Sequence, residues 1–467
     1  MRNCKKILLL LCVTAICLCA CPLSAAATYE LPSDVAKEVN AKAAVAIYVE
    51  ASATAAEGIA GKDTVLFEKS ADLPLDPAAA MRVMVGLYAK KLIDDKKLDI
   101  DKITGTYTEI LRDNYIWGTG LTLANMEEGE TWTLRDLLML SMIQTAADAA
   151  VTLAATTAGS VDLFVQGMND YMRSLGCTAT TLVNVTGIDN PNQKTTAHDL
   201  YVAMRYAMDD PLLSEALSAT ECTVTPVKIG EPRSWESSNY MLRESDYLNY
   251  YEPASAGKTG VSDLDGKALV SLCRSENYRY LTVVLGCPLE DTEDGEGSHY
   301  AATRALVNWA VNNFTYRTLV DKGEPMTRAK VKLSWSTDSL TLWSVDSLTG
   351  LVPNELDLET IRTEITLDKE EFEAPIKRGD VMGHATLYIR EDQAIGSVDL
   401  VASESVNRSA LLLIADRIGR VFSSPVTWVL LLIAVILIGI YIGMFISHNK
   451  DKRRNARKGG RRYRPMK

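Results

Sequence analysis

Between Val421 and Ile446 the chain carries no charged side chain, and the 21 residues from Val426 to Ile446 are apolar on every helical face. At 1.5 Å per residue such a helix is about 30 Å long, which matches the hydrocarbon core of a bilayer. A helix on the surface of a soluble domain needs a polar side, and this run has none. Pro425 and Trp428 stand at one edge; His448, Lys450, Lys452, Arg453 and Arg454 stand at the other. Positive charge concentrates on the cytoplasmic side of single spans. The expectation is a transmembrane helix at 425–447, a basic cytoplasmic tail at 448–467, and an extracellular body before them.

The opposite end agrees. Arg2, Lys5 and Lys6 precede an apolar run from Ile7 to Ala20, and Ser24-Ala25-Ala26-Ala27 follows. That order reads as a secretory signal at 1–27, cleaved after Ala27. Leu18-Cys19-Ala20-Cys21 also has the form of a lipoprotein processing box, which makes Cys21 a candidate for lipidation. The net charge of -11 conceals an asymmetry. The first six residues carry +3 and the tail from His448 carries +9, which leaves -23 for the body. A body this acidic is not expected to bind nucleic acid. Five of the nine cysteines (Cys4, Cys12, Cys17, Cys19, Cys21) fall in the signal segment. The exported ones, Cys177, Cys222, Cys273 and Cys287, have no Cys-x-x-Cys spacing and form no disulfide scaffold. The four histidines, at 198, 299, 384 and 448, have no metal-site spacing. No metal and no cofactor are expected.

Along the body, 41–49 and 64–69 alternate weakly and read as early strands. Met81, Val85, Tyr88, Ala89 and Leu92 recur near a period of 3.6, so 79–93 reads as a helix. Thr133, with Asp136 three residues on, reads as a helix cap. Further helices are expected at 148–157, 160–175, 197–208, 211–218 and 300–313. Leu269 to Leu272 and Tyr280 to Leu285 read as two strands joined near Asn277. Helices between early and late strands imply an α+β domain over 28–315, its sheet built from both ends of the segment. Residues 316–405 break into short β-rich runs separated by turns such as Lys377-Arg378-Gly379-Asp380, which implies a small all-β domain. An amphipathic linker, 406–424, leads to the span. Asp94-Asp95-Lys96-Lys97 and the acidic run Glu290 to Glu296 read as solvated surface; the latter lacks calcium-loop spacing.

Lys258-Thr259-Gly260 follows Ser255-Ala256-Gly257 at what reads as a loop-to-strand junction. In penicillin-binding enzymes such a lysine and threonine help hold a peptide carboxylate beside a nucleophilic serine. Val65-Leu66-Phe67-Glu68-Lys69 to Pro77-Ala78, Leu137 to Ala150, Thr181-Leu182-Val183-Asn184 with Gly187, Thr196 to Leu200, Asn239 to Leu242 and Ala374 to Gly379 occur in the family's order. Over about residues 35–420 the chain resembles the serine D-alanyl-D-alanine carboxypeptidases, the low-molecular-mass penicillin-binding proteins. The resemblance implies a β-lactamase/transpeptidase-like fold: a helical block on an antiparallel sheet, followed by a small all-β domain.

The family's catalytic residues do not carry over. Its first motif is a serine, two residues, then a lysine after Pro-Ala; here the positions are Ala79, Ala80, Met81 and Arg82. A methyl group cannot be acylated, and a guanidinium is no base at neutral pH. The second motif, Ser-x-Asn, is Thr145-Ala146-Ala147, so a hydroxyl remains at Thr145 and the amide is lost at Ala147. Lys258, Thr259 and Gly260 alone stand intact, as a substrate-binding remnant. Two displaced nucleophiles are conceivable: Ser255 with Lys258, and Thr145 helped by Lys258. Lys258 and Arg82 would place two cations where the family holds a carboxylate, unless Arg82 pairs with an acidic side chain.

The expected function is that of a catalytically inactive, membrane-anchored homologue that binds or scaffolds at bacterial peptidoglycan. Its expected partners are a non-covalently held stem peptide, the bacterial membrane and other cell-wall enzymes. One alternative is a D-Ala-D-Ala carboxypeptidase-like hydrolase with altered catalytic residues. The other is a structural partner working through the β-rich domain.

Overall fold

The computed structural model describes residues 29–228, 230–389 and 394–458. The signal segment, Cys21 within it, and the end of the basic tail lie outside the described residues. The chain divides into two units, one running to Thr315 and taking in Leu351–Leu356, the other made of Tyr316–Gly350 and the residues from Asp357 onward.

The sheet of the first unit draws on both of its ends. β1 (Ala43–Tyr48) and β2 (Thr64–Lys69) come early; β3 (Ala254–Ser262), β4 (Gly266–Ser275) and β5 (Tyr278–Cys287) come late. The order is β2-β1-β5-β4-β3, antiparallel throughout. β1 lies opposite β5 with Ala43 facing Leu285 and Tyr48 facing Tyr280. Its six residues are all buried, as expected for a central strand covered on both faces.

Between the two groups of strands lie the helices α1 (Arg82–Asp95), α2 (Leu134–Ile143), α3 (Ala147–Ala158), α4 (Val161–Ser174), α5 (Ala197–Asp209) and α6 (Pro211–Ser218); α7 (Ser298–Asn313) follows the sheet. Their starts are set by side chains that satisfy free amides. Thr133 accepts from the Asp136 N–H at 3.1 Å, Ser160 from Leu163 at 3.2 Å, and Thr196 from Asp199 at 3.0 Å. Asp210 accepts from Leu212 and Leu213, with Pro211 in the first helical turn. α3 is rich in alanine and buried from Ala147 to Ala154, so its neighbours pack close around it.

The second unit holds a six-stranded sheet. In chain order its strands are β6 (Pro325–Lys332), β7 (Ser339–Ser344), β8 (Arg362–Leu367), β9 (Glu371–Glu373), β10 (Val381–Tyr388) and β11 (Ala394–Ala402), arranged β8-β10-β11-β7-β6-β9. Val331, Leu340, Leu342, Phe372, Leu387 and Leu400 are among its core residues. Two helices follow, α8 (Ala410–Ser423) and α9 (Pro425–Lys458). Within α9, Pro425–Ile446 is 22 residues long with a mean hydropathy of 3.1, long and apolar enough to cross a membrane.

Candidate functional site

The 3-10 turn Ala78–Met81, the junction between α2 and α3, and the outer strand β3 meet at one place. Gly260 of β3 makes the approach possible. A Cβ there would fall 2.6 Å from the Pro77 carbonyl oxygen and 2.7 Å from the backbone nitrogens of Ala79 and Ala80. On the other side Gly187, at φ +74°, would bring a Cβ within 2.7 Å of the Ala79 Cα. Ala79 is thus a half-buried methyl held between two glycines.

Three residues further on, Arg82 turns fully inward. Its guanidinium donates to the Thr186 carbonyl (2.9 and 3.3 Å), to the Ala146 carbonyl (3.0 Å), and to Ser141 at its hydroxyl (3.1 Å) and carbonyl (3.4 Å). Burial brings its pKa down to about 9, with Asp148 opposing, so it stays cationic at neutral pH. Among the described residues it pairs with no acidic side chain. The carboxylate of Asp148 accepts instead from the backbone N–H groups of Ala124, Met126 and Ala149.

Lys258 comes from the middle of β3, where Val270 is its ladder partner; the expected junction is continuous strand. Its amine is buried 2.6 Å from the Met142 carbonyl oxygen, hydrogen-bonded to Thr145 Oγ1, and 3.0 Å from Ser238 Oγ. The two hydroxyls lie 2.5 Å apart. Burial, and then repulsion from Arg82, push the Lys258 amine well below the usual lysine range. Thr145 is held at φ +66°, a region that costs a β-branched residue about 1–3 kcal/mol; the contacts to Lys258 and Ser238 help hold it there. Ala147 is fully buried, its N–H bonded to the Thr122 carbonyl at 2.9 Å. Thr259 faces the other side of β3, within 2.9 Å of His299 Nε2. Burial, reinforced by Lys267, drives the His299 pKa down to about 3, so that ring is neutral.

The pair Ser255–Lys258, the first of the two conceivable displaced nucleophiles, does not form. In an extended strand, residues three apart face opposite sides, and Ser255 Oγ donates to the Leu272 carbonyl at 3.0 Å. The idea of two cations presented to the cleft is corrected as well: both side chains point inward, onto carbonyls and hydroxyls. Ser238 is the residue that sequence reasoning missed. It precedes Asn239 in a stretch read only as an approach to β3, and no spacing connects it with Thr145.

The sequence profile described as D-alanyl-D-alanine carboxypeptidase matches residues 35–288, more than half of the chain. The chain belongs to the D-alanyl-D-alanine carboxypeptidase family. A second profile, that of the penicillin-binding protein 5 C-terminal domain, matches residues 314–408. The chain is similar to D-alanyl-D-alanine carboxypeptidase DacD of Escherichia coli, at 25% identity over 72% of this chain and 82% of the relative. It is also similar to DacF of Bacillus subtilis, at 21% identity over 83% and 93%. Among solved structures, penicillin-binding protein 5 from Haemophilus influenzae aligns with a TM-score of 0.57 at 20% identity, covering 81% of this chain and all of that one. DacD from Francisella tularensis aligns at 0.58 and 18%, covering 82% and 95%. These likenesses establish the fold. Within that fold, Ala79 and Arg82 lie where the 3-10 turn passes into α1, and Lys258 bridges the α2–α3 junction to β3.

Proposed function

We propose that the protein is a catalytically silent member of its family, anchored in the membrane, that holds peptidoglycan stem peptides without cleaving them. One observation carries this reading. Where the family's nucleophile and base would stand, the chain has a methyl and a cation whose donors are taken up by backbone carbonyls. Arg82, cationic and buried without an ion-pair partner among the described residues, favours an anionic group such as a peptide carboxylate nearby, and Lys258-Thr259-Gly260 is the strand that would hold it. α9 supports the anchor. α8 adds an apolar face of Leu411, Ile414, Ile418 and Phe422, all exposed, spaced to lie against a membrane surface.

The test uses the full-length protein in detergent with a pentapeptide ending in D-alanyl-D-alanine. The expected result is saturable binding by calorimetry, weakened about tenfold by Lys258→Met, with no release of D-alanine. Turnover at a family-like rate would overturn the reading.

A second reading, a hydrolase with altered residues, is favoured by the cluster at Lys258. Burial and Arg82 lower the proton affinity of the Lys258 amine, and Thr145 and Ser238 both lie within hydrogen-bond reach of it as hydroxyls it would activate after losing a proton. Under this reading Ser238→Ala or Thr145→Ala abolishes hydrolysis, whereas under the first neither variant has any hydrolysis to lose.

A further inference from the structure

A small cavity of about 60 Å³ lies at the turn end of the β4–β5 hairpin, where α5 and α6 meet the sheet. Its polar lining comes from Arg274 of β4, Arg279 of β5, Arg205 and Asp209 of α5 and Ser214 of α6. None of these residues belongs to the cluster around Lys258. Arg274 and Arg279 are ladder partners, directly opposite each other on neighbouring strands. Like charges in that relation repel and weaken a sheet. Burial, and then repulsion from Arg205 and Arg274, lower the Arg279 pKa.

The carboxylates nearby are already taken. Asp63 accepts from Arg205 Nε at 2.9 Å, from the Tyr201 hydroxyl at 2.8 Å and from the Glu50 N–H at 3.0 Å. Asp209 accepts from Arg205 Nη1 at 2.9 Å and from the Ala55 N–H at 2.6 Å. The Glu50 carboxylate accepts from Ser52. Arg205 is thereby fully paired, and its Nη2 donates to the Ala53 carbonyl. The other two guanidinium groups are not. Arg279 donates from Nη2 to the Glu50 carbonyl at 3.1 Å, and its buried Nε has no partner among the described residues. The exposed Arg274 side chain has no hydrogen-bond or ion-pair partner among the described residues, and neither has the Ser214 hydroxyl.

What remains free is a set of donors from three elements, two of them cationic. A guanidinium presents a fork that matches two oxygens of a phosphate, and such charge-assisted bonds are the strong ones. Donors arriving from β4, β5 and α6 suit a tetrahedral oxyanion better than a flat carboxylate. A space of about 60 Å³ holds a few waters, so a phosphate group enters and a sugar ring or a nucleoside does not. Because Arg274 is exposed, the substituent of a phosphate ester has a way out to solvent beside it. We infer that this cavity binds a phosphate group between Arg274 and Arg279, with the Ser214 hydroxyl as a third donor, either as the free ion or as the phosphate end of a larger ester. The site stands independently of the peptide-holding reading.

Full-length protein in a non-ionic detergent and phosphate-free buffer is titrated at fixed ionic strength with inorganic phosphate, with glycerol 3-phosphate, and with acetate as the flat anion. Calorimetry reads binding, and the melting temperature reads stabilisation by ligand. Inorganic phosphate is expected to bind saturably and to raise the melting temperature. Arg274→Gln, at an exposed position, is expected to weaken that binding at least about tenfold and to remove the rise. Arg274→Lys keeps the charge without the fork and is expected to weaken binding less. Glycerol 3-phosphate binding as tightly as inorganic phosphate supports a site for an ester end; inorganic phosphate binding alone supports a site for the free ion. Equal responses to phosphate and acetate overturn the inference, and so does a phosphate response that Arg274→Gln leaves unchanged.

Discussion

Arg82→Ala separates a structural cation from a displaced catalytic one. In the folded protein the guanidinium serves three segments at once, through the carbonyls of Thr186, Ala146 and Ser141. Truncation strands those acceptors in the interior and opens a void the size of an arginine side chain. A hydrogen bond to a charged donor is worth about 1.5–3 kcal/mol, and an orphaned buried acceptor costs about 1–3 kcal/mol. Against these stands relief, because the guanidinium is buried without a carboxylate and repels Lys258. The balance is a loss of about 3 kcal/mol, or roughly 5–10 °C in Tm for a unit of this size. Arg82→Met keeps most of the volume and should lose somewhat less, isolating the hydrogen-bond part. Differential scanning calorimetry of the full-length protein in detergent reads all three forms. A Tm for Arg82→Ala within 1 °C of wild type, or above it, would refute the claim that these carbonyls depend on the guanidinium.

Ala79→Ser alone is expected to give no D-alanine release, because the neighbouring Arg82 cannot take the proton; family-like turnover from that single change would show the assignment of Arg82 to be wrong. His198 provides a pH prediction. Burial disfavours its charge, but hydrogen bonds to Glu68 and to Asp72 (2.8 Å) outweigh burial and raise its pKa to about 9. A pKa raised above the unfolded value of about 6.5 stabilises fully below that pH, and the benefit is lost as pH rises through 9. Asp72 is exposed, so solvent screening limits the effect to about 1–2 kcal/mol, seen as a fall in Tm between pH 7 and 10 that His198→Gln abolishes. Labelling of intact cells is expected to reach the acidic body, while lysines 450–467 react only after the membrane is opened; the reverse pattern would contradict the anchor's orientation.

The parts that could be read in the sequence are those encoded locally. Thr133, Ser160 and Thr196 precede apolar helical patterns and cap α2, α4 and α5. Strands beginning and ending the first unit announced a sheet drawn from both ends, and the uncharged run before Ile446 marked a helix long and apolar enough to cross a membrane. The unreadable parts depend on convergence. Thr145 and Ser238 are 93 positions apart and become neighbours only because β3 carries Lys258 between them. The inward turn of Arg82 depends on where the Thr186 and Ala146 carbonyls lie, which no periodicity encodes. In the sequence alone, Lys258-Thr259-Gly260 after Ser255-Ala256-Gly257 reads as a loop-to-strand junction, with two glycines, Gly257 and Gly260, in the run. In the fold the first glycine packs against Asn239 and the second against the Ala78–Met81 turn.

The claim of catalytic silence meets its most direct test in a reactive β-lactam probe applied to the full-length protein and read by intact-protein and peptide mass spectrometry. On the proposed reading, in which Ala79 takes the nucleophile's place, no covalent adduct is expected after prolonged incubation, under conditions in which an active family member is fully labelled. A stoichiometric adduct on any serine or threonine, above all on Ser238 or Thr145, would contradict it and would make Lys258 a working base.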